Sequence, residues 1–237
     1  AVRKCFASLF TARAIYYRKK KGFQEDKALL AVVIQKMIDS EKSGVIFSRD
    51  PININQENIV IEAVYGQGEG IVSGMIKPDH YVISRNLEIL EKSIANKKIA
   101  LTRNSAGENI EINLTQEKSN SQVLKESEIK KLADYAVKLE NHYNKPQDIE
   151  FALENGEIFI LQTRPITTLK IKQNKKEVKG EIILEGLAAS GGIASGKVKI
   201  VHNLQDLEKI QKGDILVTKM TNPDMVVTMQ RCSAIVT

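Results

Sequence analysis

The chain has 237 residues, of which 42% are hydrophobic and 27% charged, a balance typical of ordinary soluble globular proteins. Its net charge of +6 permits nucleic-acid binding, but the lysines are spread along the chain and no aromatic stacking motif accompanies them. No apolar run is long enough for a membrane span, and no signal-peptide pattern opens the chain. Cys5 and Cys232 form no disulfide framework, which fits a reducing cytoplasm, so we expect a cytoplasmic protein. The scattered lysines and the lack of an apolar span lead us to expect neither a nucleic-acid nor a membrane partner.

The first third of the chain predicts a helix followed by strands. Apolar residues recur at helical spacing over Val2–Lys21, and Gly22 supplies a stop, so we expect a helix that buries its apolar stripe in a core. Three β-rich runs follow, at Ala28–Ile38, Gly44–Ser48 and Asn58–Val64.

The middle third predicts short strands and one long helix. The glycine-rich run at 66–70 lacks both phosphate-loop fingerprints, so it favours a strand-to-helix turn over a phosphate loop. Glu128–Tyr143 has a helical apolar period, with Ser127 as its expected N-cap. The expected strands between these segments are Tyr81–Ser84, Leu87–Ile94, Ile99–Thr102 and Asn109–Leu114.

Two apolar strands, Asp148–Leu153 and Glu157–Gln162, predict a β-hairpin with polar side chains near its open end. A buried carboxylate is costly unless it is paired or binds a metal, and acids, an amide oxygen and a guanidinium together suit magnesium and phosphate. The alternative is an edge hairpin whose polar ends are simply solvated. The polar residues in question are Asp148, Glu150, Gln162 and Arg164.

The turn of this hairpin decides whether those side chains share a face. A two-residue Asn155-Gly156 loop pairs Glu150 with Leu161 and puts Glu150 and Gln162 on opposite faces. A three-residue loop with a left-handed Gly156 shifts the register, so that Asp148 pairs with Gln162 and all four polar residues lie on one face. Both turns suit the sequence, which does not choose between them.

Beyond Pro165 the composition changes. Lys170–Gly180 holds five lysines and little apolar content, which is typical of a solvated linker. A second patterned unit begins at Ile182, with a capped helix start at Asn222-Pro223. Its remaining predicted elements are the glycine-rich Gly186–Gly196, the strands Lys197–Val201, Asp214–Thr218 and Ser233–Thr237, and a short helix at Leu204–Ile210.

Five blocks of sequence, in order, resemble the dikinases that make phosphoenolpyruvate, and most closely the phosphoenolpyruvate synthase (pyruvate, water dikinase) family. The hairpin, D-I-E-F-A-L-E-N-G-E-I-F-I-L-Q-T-R-P, resembles the end of the ATP-grasp domain of that family. Each block alone is a weak signal, but five in sequence are a strong one. The blocks are Cys5–Arg18, Val33–Phe47, Tyr65–Asp79, Asp148–Pro165 and Gly186–Gly196.

The resemblance implies an α+β chain made of two partial domains. Residues 1–169 would be the later part of an ATP-grasp domain, residues 170–181 a linker, and residues 182–237 the start of a swivelling β/β/α phosphohistidine domain. In the family, A-I-V-T leads into the motif of the phosphorylated histidine, and Ala234–Thr237 is where this chain stops. Because the chain also opens on Ala1, we expect an internal part of a longer protein that is inactive by itself.

The resemblance also implies a function and site residues. The whole enzyme would bind ATP and Mg²⁺, phosphorylate its own histidine, and pass the phosphoryl group to pyruvate, releasing AMP and phosphate. Rifampin phosphotransferase, pyruvate phosphate dikinase and a non-catalytic binding module are the alternatives. Glu150 and Gln162 would bind the metal or phosphate, with Asp148 in support, Arg164 on the triphosphate, Gln35 and Met37 at the adenine, and the three-residue turn closing the hairpin.

Overall fold

The structure is a computed structural model that describes residues 1–23, 28–51, 57–166, 183–184, 186, 192–219, 221 and 225–237. It divides into two compact units, Met37–Gly191 and a second made of Ala1–Lys36 with Gly192–Thr237. The structure contains both helices and antiparallel sheets, which confirms a mixed α and β fold class. The predicted linker at Lys170–Gly180 and the helix start at Asn222-Pro223 lie outside the described residues, so the domain boundaries stay predictions.

Most predicted strands are present within a residue or two of their expected ends. The helices are α1 (Val2–Ala7), α2 (Ala12–Lys20), α3 (Glu69–Val72), α4 (Gln116–Asn120), α5 (Glu126–Tyr143) and α6 (Val226–Met229), with 3₁₀ turns at Ser8–Phe10 and Leu204–Lys209. The strands are β1 (Lys42–Phe47), β2 (Ile59–Tyr65), β3 (Asp79–Ile83), β4 (Ile89–Ser93), β5 (Ile99–Arg103), β6 (Asn109–Asn113), β7 (Gln147–Glu154), β8 (Glu157–Pro165), β9 (Val198–Val201), β10 (Ile215–Thr218) and β11 (Ala234–Val236).

The larger unit is built on an antiparallel sheet of six strands in the order β4-β3-β2-β1-β7-β8. Strand residues alternate between the two faces, and one face packs against the apolar side of α5. A separate β5–β6 hairpin lies beside the glycine-rich turn through a bridge between Gly66 and Leu101. The core between sheet and helix includes Ile46, Ile61, Tyr81, Ile149, Phe151, Ile129, Leu132 and Ala136.

Helix α5 begins two residues before its expected start. Lys125 is the N-cap, and the Glu128 carboxylate accepts a hydrogen bond from the Lys125 backbone N–H at 2.7 Å. The prediction of Ser127 as the cap was therefore wrong, because Glu128 caps the helix from its first turn. At the other end Asn144 adopts a left-handed conformation (φ 51°) that terminates the helix.

The smaller unit contains a parallel three-stranded sheet in the order β11-β10-β9. Its core is formed by Val201, Ile210, Leu216 and Met225. Parallel strands joined by short helical crossovers are typical of β/α units, but assignment of this unit to a phosphohistidine domain stays a prediction.

The predicted helix over Val2–Lys21 is interrupted. Thr11 adopts an extended conformation (φ −70°, ψ 148°), and its hydroxyl donates to the Ser8 carbonyl at 2.8 Å. Such local bonds compete with helical hydrogen bonds, which explains the break. No residue of α1 or α2 is buried, and the Phe6 side chain is 47% exposed, so the expected burial of the apolar stripe was also wrong.

The predicted strand at Ala28–Ile38 is absent, since the described stretch 28–41 has neither helix nor strand. Its β-branched residues have strand propensity, but a strand also needs a neighbouring strand for its backbone hydrogen bonds. Leu29 is 97% exposed and Ile34 is 86% exposed. Among the described residues, no helix combines the length and apolar character that crossing a bilayer requires.

Gly44 allows the centre of the large sheet to pack. A Cβ at this position would lie 2.0 Å from the Glu62 backbone oxygen and 2.7 Å from Cζ of Phe151. Phe151 lies directly opposite Gly44 on β7, so its ring occupies the space that a side chain would need. Aromatic packing over a strand glycine is a known way to bury both.

We therefore expect Gly44→Ala to destabilise the chain by about 3 kcal/mol, at the upper end of overpacking effects, because the clash involves backbone. Gly156→Ala is the matched control. Gly156 has a positive φ of 78° but no atom within 4 Å of its added Cβ, so it should cost only about 1 kcal/mol. Chemical denaturation of both variants measures the difference, and equal losses would contradict the packing role of Gly44.

Candidate functional site

The β7–β8 hairpin lies at one edge of the large sheet, and the polar side chains near its open end share the face opposite α5. On β7, Ile149, Phe151 and Leu153 are buried in the core. Because side chains alternate along a strand, Asp148 and Glu150 point to the opposite face. This face at the hairpin edge is the candidate site.

The hairpin closes through a two-residue turn. Glu154 pairs with Glu157, and the turn residues Asn155 and Gly156 both have positive φ, at 51° and 78°, as in a type I′ turn. The expected three-residue turn was therefore wrong, although the left-handed Gly156 is confirmed. Asn-Gly is the favoured pair for this turn because both positions need a left-handed backbone.

A β-bulge within the hairpin restores the register that the turn alone would have lost. The pairing shifts between Glu150 and Phe151, so that Leu161 is an extra residue on β8. Glu150 therefore lies opposite Gln162, and Asp148 lies opposite Arg164 rather than opposite Gln162 as expected. All four residues still share one face, which is the arrangement that the candidate site requires.

Asp148 and Arg164 form an ion pair across the hairpin. Nε and Nη2 of Arg164 each lie 2.8 Å from Oδ2 of Asp148. The Asp148 side chain is 14% exposed, whereas that of Arg164 is 69% exposed. The carboxylate thus accepts a hydrogen bond from the guanidinium Nε–H, lies at ion-pair distance from Nη2, and orients a cation that an anionic ligand can reach from solvent.

Glu150 and Gln162 lie side by side in the next pair of the ladder. Gln162 Nε2 is 3.4 Å from Glu150 Oε1, a long contact for a hydrogen bond. Half a turn about the last side-chain bond of Gln162 would present its carbonyl oxygen beside the carboxylate instead. Two oxygen donors of this kind suit Mg²⁺.

The donor set fits a metal shared with a phosphate ligand rather than a site built from protein alone. No group of three or more histidine, cysteine, aspartate or glutamate side chains placed to hold a metal occurs in the described part of the chain. Mg²⁺ in nucleotide sites keeps one or two protein carboxylates and takes its other oxygens from phosphates and water. Glu150 with Gln162 meets that requirement.

A second polar pair lies on the same sheet face and was missed from the sequence. Glu150 pairs with Val45, Val45 with Glu62, and Glu62 with His80, so these residues follow one line across the sheet. His80 Nδ1 lies 3.4 Å from Glu62 Oε1, and this hydrogen bond raises the pKa of His80 despite partial burial. The sequence showed an acid, Glu62, within the apolar run Ile59–Val64, but its contact with His80 depends on the register of the sheet.

On the core side, Glu140 of α5 joins the helix to the sheet. Its carboxylate accepts hydrogen bonds from Ser48 Oγ at 2.6 Å, Arg49 Nε at 2.9 Å and Arg85 Nη2 at 2.9 Å. Burial raises the pKa of Glu140, but the hydrogen bonds from Ser48, Arg85 and Arg49 outweigh it and hold the pKa below its usual value.

The stability that Glu140 contributes should therefore depend on pH. Because its folded pKa lies below the unfolded value, the contribution is fully present above the unfolded pKa of about 4.5 and is lost as pH falls through the folded pKa. We expect the difference in unfolding free energy between the unchanged chain and Glu140→Gln to be constant from pH 6 to 8 and to shrink below about pH 4.5. Urea denaturation across this range measures it, and a difference that grows on acidification would contradict the assignment.

The expected adenine-site residues lie outside the hairpin. Gln35 and Met37 belong to the described stretch 28–41 without helix or strand, Gln35 in the smaller unit and Met37 in the larger. The Met37 side chain is 64% exposed. Their role at the adenine stays a prediction.

Comparison with known families identifies a nucleotide-binding domain. Residues 1–182 match the family described as "Pyruvate phosphate dikinase, AMP/ATP-binding domain". The match covers α1 to α5, the six-stranded sheet and the β5–β6 hairpin, and it includes the candidate site. It ends before β9 to β11, so it carries no assignment of the parallel sheet.

Curated relatives align along the whole chain. The chain is 49% identical over 243 residues to a probable phosphoenolpyruvate synthase of Archaeoglobus fulgidus and 47% identical over 242 residues to one of Methanocaldococcus jannaschii. It is 43% identical over 249 residues to the phosphoenolpyruvate synthase of Pyrococcus furiosus. Each alignment covers 100% of this chain but only 32%, 20% and 30% of the relative, respectively.

Proposed function

This chain belongs to the family of the pyruvate phosphate dikinase AMP/ATP-binding domain, and we propose that the open face of its β7–β8 hairpin binds the triphosphate and metal of MgATP. The observation that carries this proposal is the bulged register, which groups two carboxylates, an amide and a guanidinium on one accessible face. Family membership supports ATP as the ligand, and the residue types support phosphate and a hard cation.

Each site residue has a role that follows from its contacts. Arg164, oriented by Asp148, neutralises phosphate charge from its exposed position. Glu150 and the carbonyl oxygen of Gln162 would hold Mg²⁺, which when bound draws charge from the phosphate oxygens. Phosphoryl transfer depends mainly on such positioning and charge neutralisation, so these residues need no covalent step of their own.

For the whole protein, we propose the reaction of a phosphoenolpyruvate synthase. An enzyme histidine attacks the β-phosphorus of ATP and displaces AMP, and water then cleaves the β–γ bond and releases the terminal phosphate. The β-phosphoryl group left on the histidine passes to the enol oxygen of pyruvate, so ATP, pyruvate and water yield AMP, phosphoenolpyruvate and phosphate. The names of the aligned relatives support this acceptor. His80, His142 and His202 lack the expected histidine motif, so we do not assign the phosphohistidine to any of them.

Product analysis separates this function from that of a pyruvate phosphate dikinase and from a non-catalytic binding module. With ATP labelled at the terminal phosphate and with pyruvate, a phosphoenolpyruvate synthase releases labelled phosphate, whereas a pyruvate phosphate dikinase consumes phosphate and releases pyrophosphate. A non-catalytic binding module releases neither product, although it can still bind MgATP.

In the protein that carries this sequence, Glu150→Gln keeps the side-chain shape but removes one negative charge beside the metal. Arg164→Lys keeps a positive charge but loses the planar fork of the guanidinium. Losing a charge-assisted contact costs about 1.5–3 kcal/mol, so we expect phosphoryl transfer to fall roughly tenfold to more than a hundredfold in each variant.

Glu157→Gln is the matched control for that experiment. It removes the same charge from the same hairpin at its turn end, about 13 Å along the strands from Glu150, and should leave transfer unchanged. Single-turnover kinetics with MgATP compares the three variants. Near-normal transfer in Glu150→Gln, or equal loss in Glu157→Gln, would contradict the assignment of the metal site.

A further inference from the structure

A hydrogen-bonded series of buried polar groups runs from α5 through the sheet to the edge strand β8. The Ser48 hydroxyl donates to Glu140, and the Gln147 backbone N–H donates to that hydroxyl at 2.7 Å. Gln147 Nε2 donates to the Lys145 carbonyl at 2.9 Å, which leaves Gln147 Oε1 to accept from the Thr163 hydroxyl at 2.8 Å. Ser48 is 0% exposed and Gln147 is 1% exposed.

Thr163, the last member of this hydrogen-bonded series, lies between two candidate site residues. Thr163 follows Gln162 and precedes Arg164, and it lies opposite Ile149, which faces the core. Its hydroxyl is therefore held on the core side of β8 while its two neighbours point to the nucleotide side. Fixing Thr163 fixes the backbone from which both of those side chains extend.

Strand β8 needs such an anchor more than the other strands of the site do. It is an edge strand of the sheet, and β7 is its only neighbour among the described strands. The bulge at Leu161 also interrupts the ladder just before Gln162. Beyond Arg164, a backbone hydrogen bond from Ile166 to the Pro146 carbonyl at 2.9 Å follows the end of the strand.

We propose that Thr163, Gln147 and Ser48 are positioning residues, which fix the Gln162–Arg164 end of β8 against Glu140 so that its nucleotide-side groups are preorganised for MgATP. This inference rests on the proposed function of the hairpin face. A misplaced contact weakens binding even where the fold is intact, so the effect should appear in nucleotide affinity beyond any loss of stability.

The test uses Thr163→Val, which keeps the shape of the side chain and removes only its hydroxyl, in the protein that carries this sequence. We expect the Kd for MgATP, measured by calorimetry, to rise about tenfold, comparable with the loss of one charge-assisted contact. Thr163→Ser retains the hydroxyl and should bind within about twofold of the unchanged protein. In an Arg164→Lys background the effect of Thr163→Val should fall below about threefold, because coupled residues are not additive.

Tyr81→Phe is the control for general destabilisation. It also removes one buried hydroxyl from the core side of the sheet, where Tyr81 donates to Asp79 at 3.1 Å, three strands away from β7. Its Kd should be unchanged whatever its unfolding free energy. The inference is overturned if Thr163→Val binds normally, or if Tyr81→Phe weakens binding as much.

Glu150→Gln in the same series separates this inference from the proposed function. If Glu150→Gln weakens binding and Thr163→Val does not, the hairpin face binds MgATP and only the positioning role fails. If the unchanged protein does not bind MgATP, or Glu150→Gln has no effect, the proposed function fails and the inference fails with it.

Discussion

The β-bulge at Leu161 is the constraint on which the candidate site depends. A type I′ turn with an unbroken ladder would place Glu150 and Gln162 on opposite faces, one in the core and one in solvent. The extra residue on β8 returns Gln162 to the face of Glu150 and places Arg164 opposite Asp148. The bulge therefore converts an ordinary edge hairpin into a surface with oxygen donors and a cation side by side.

The two faces of the hairpin have complementary tasks. The core face carries Ile149 and Phe151 against α5, and the contact of Phe151 with Gly44 keeps the central strands close. The polar groups on that side are satisfied by Glu140 and its partners, so they cost little despite their burial. This stable layer allows the opposite face to carry Asp148 and Glu150 close together without loss of the fold.

Local sequence patterns predicted most of the larger unit because its strands and α5 have clear periodicity. This periodicity correctly predicted the hairpin strands, the β5–β6 strands and the apolar face of α5. The grouping of the polar residues of the candidate site was also predicted from residue types near strand ends, and their role as ligands stays a prediction. What the sequence analysis missed was a bulge within β8, because it placed an extra residue only in the turn at Gly156, whereas the structure has it at Leu161.

Two other predictions, one strand and one buried helix, failed because local propensity does not supply a neighbouring strand or a surface to pack against. Ala28–Ile38 has the β-branched content of a strand but pairs with no strand in the described sheets. The apolar stripe of Val2–Lys21 has a helical period, yet Thr11 interrupts the helix and neither half buries a residue. Glu62 and His80 were missed because their contact joins two strands and therefore depends on the register of the sheet.

The most direct test of the account is a crystal structure of the protein with Mg²⁺ and a non-hydrolysable ATP analogue. We predict that the triphosphate lies on the open face of the β7–β8 hairpin, with Arg164 on a phosphate. Mg²⁺ should be bound by Glu150 and the carbonyl oxygen of Gln162 at about 2.1 Å. Nucleotide bound elsewhere, with the Gln162 amide nitrogen still facing Glu150, would contradict the account.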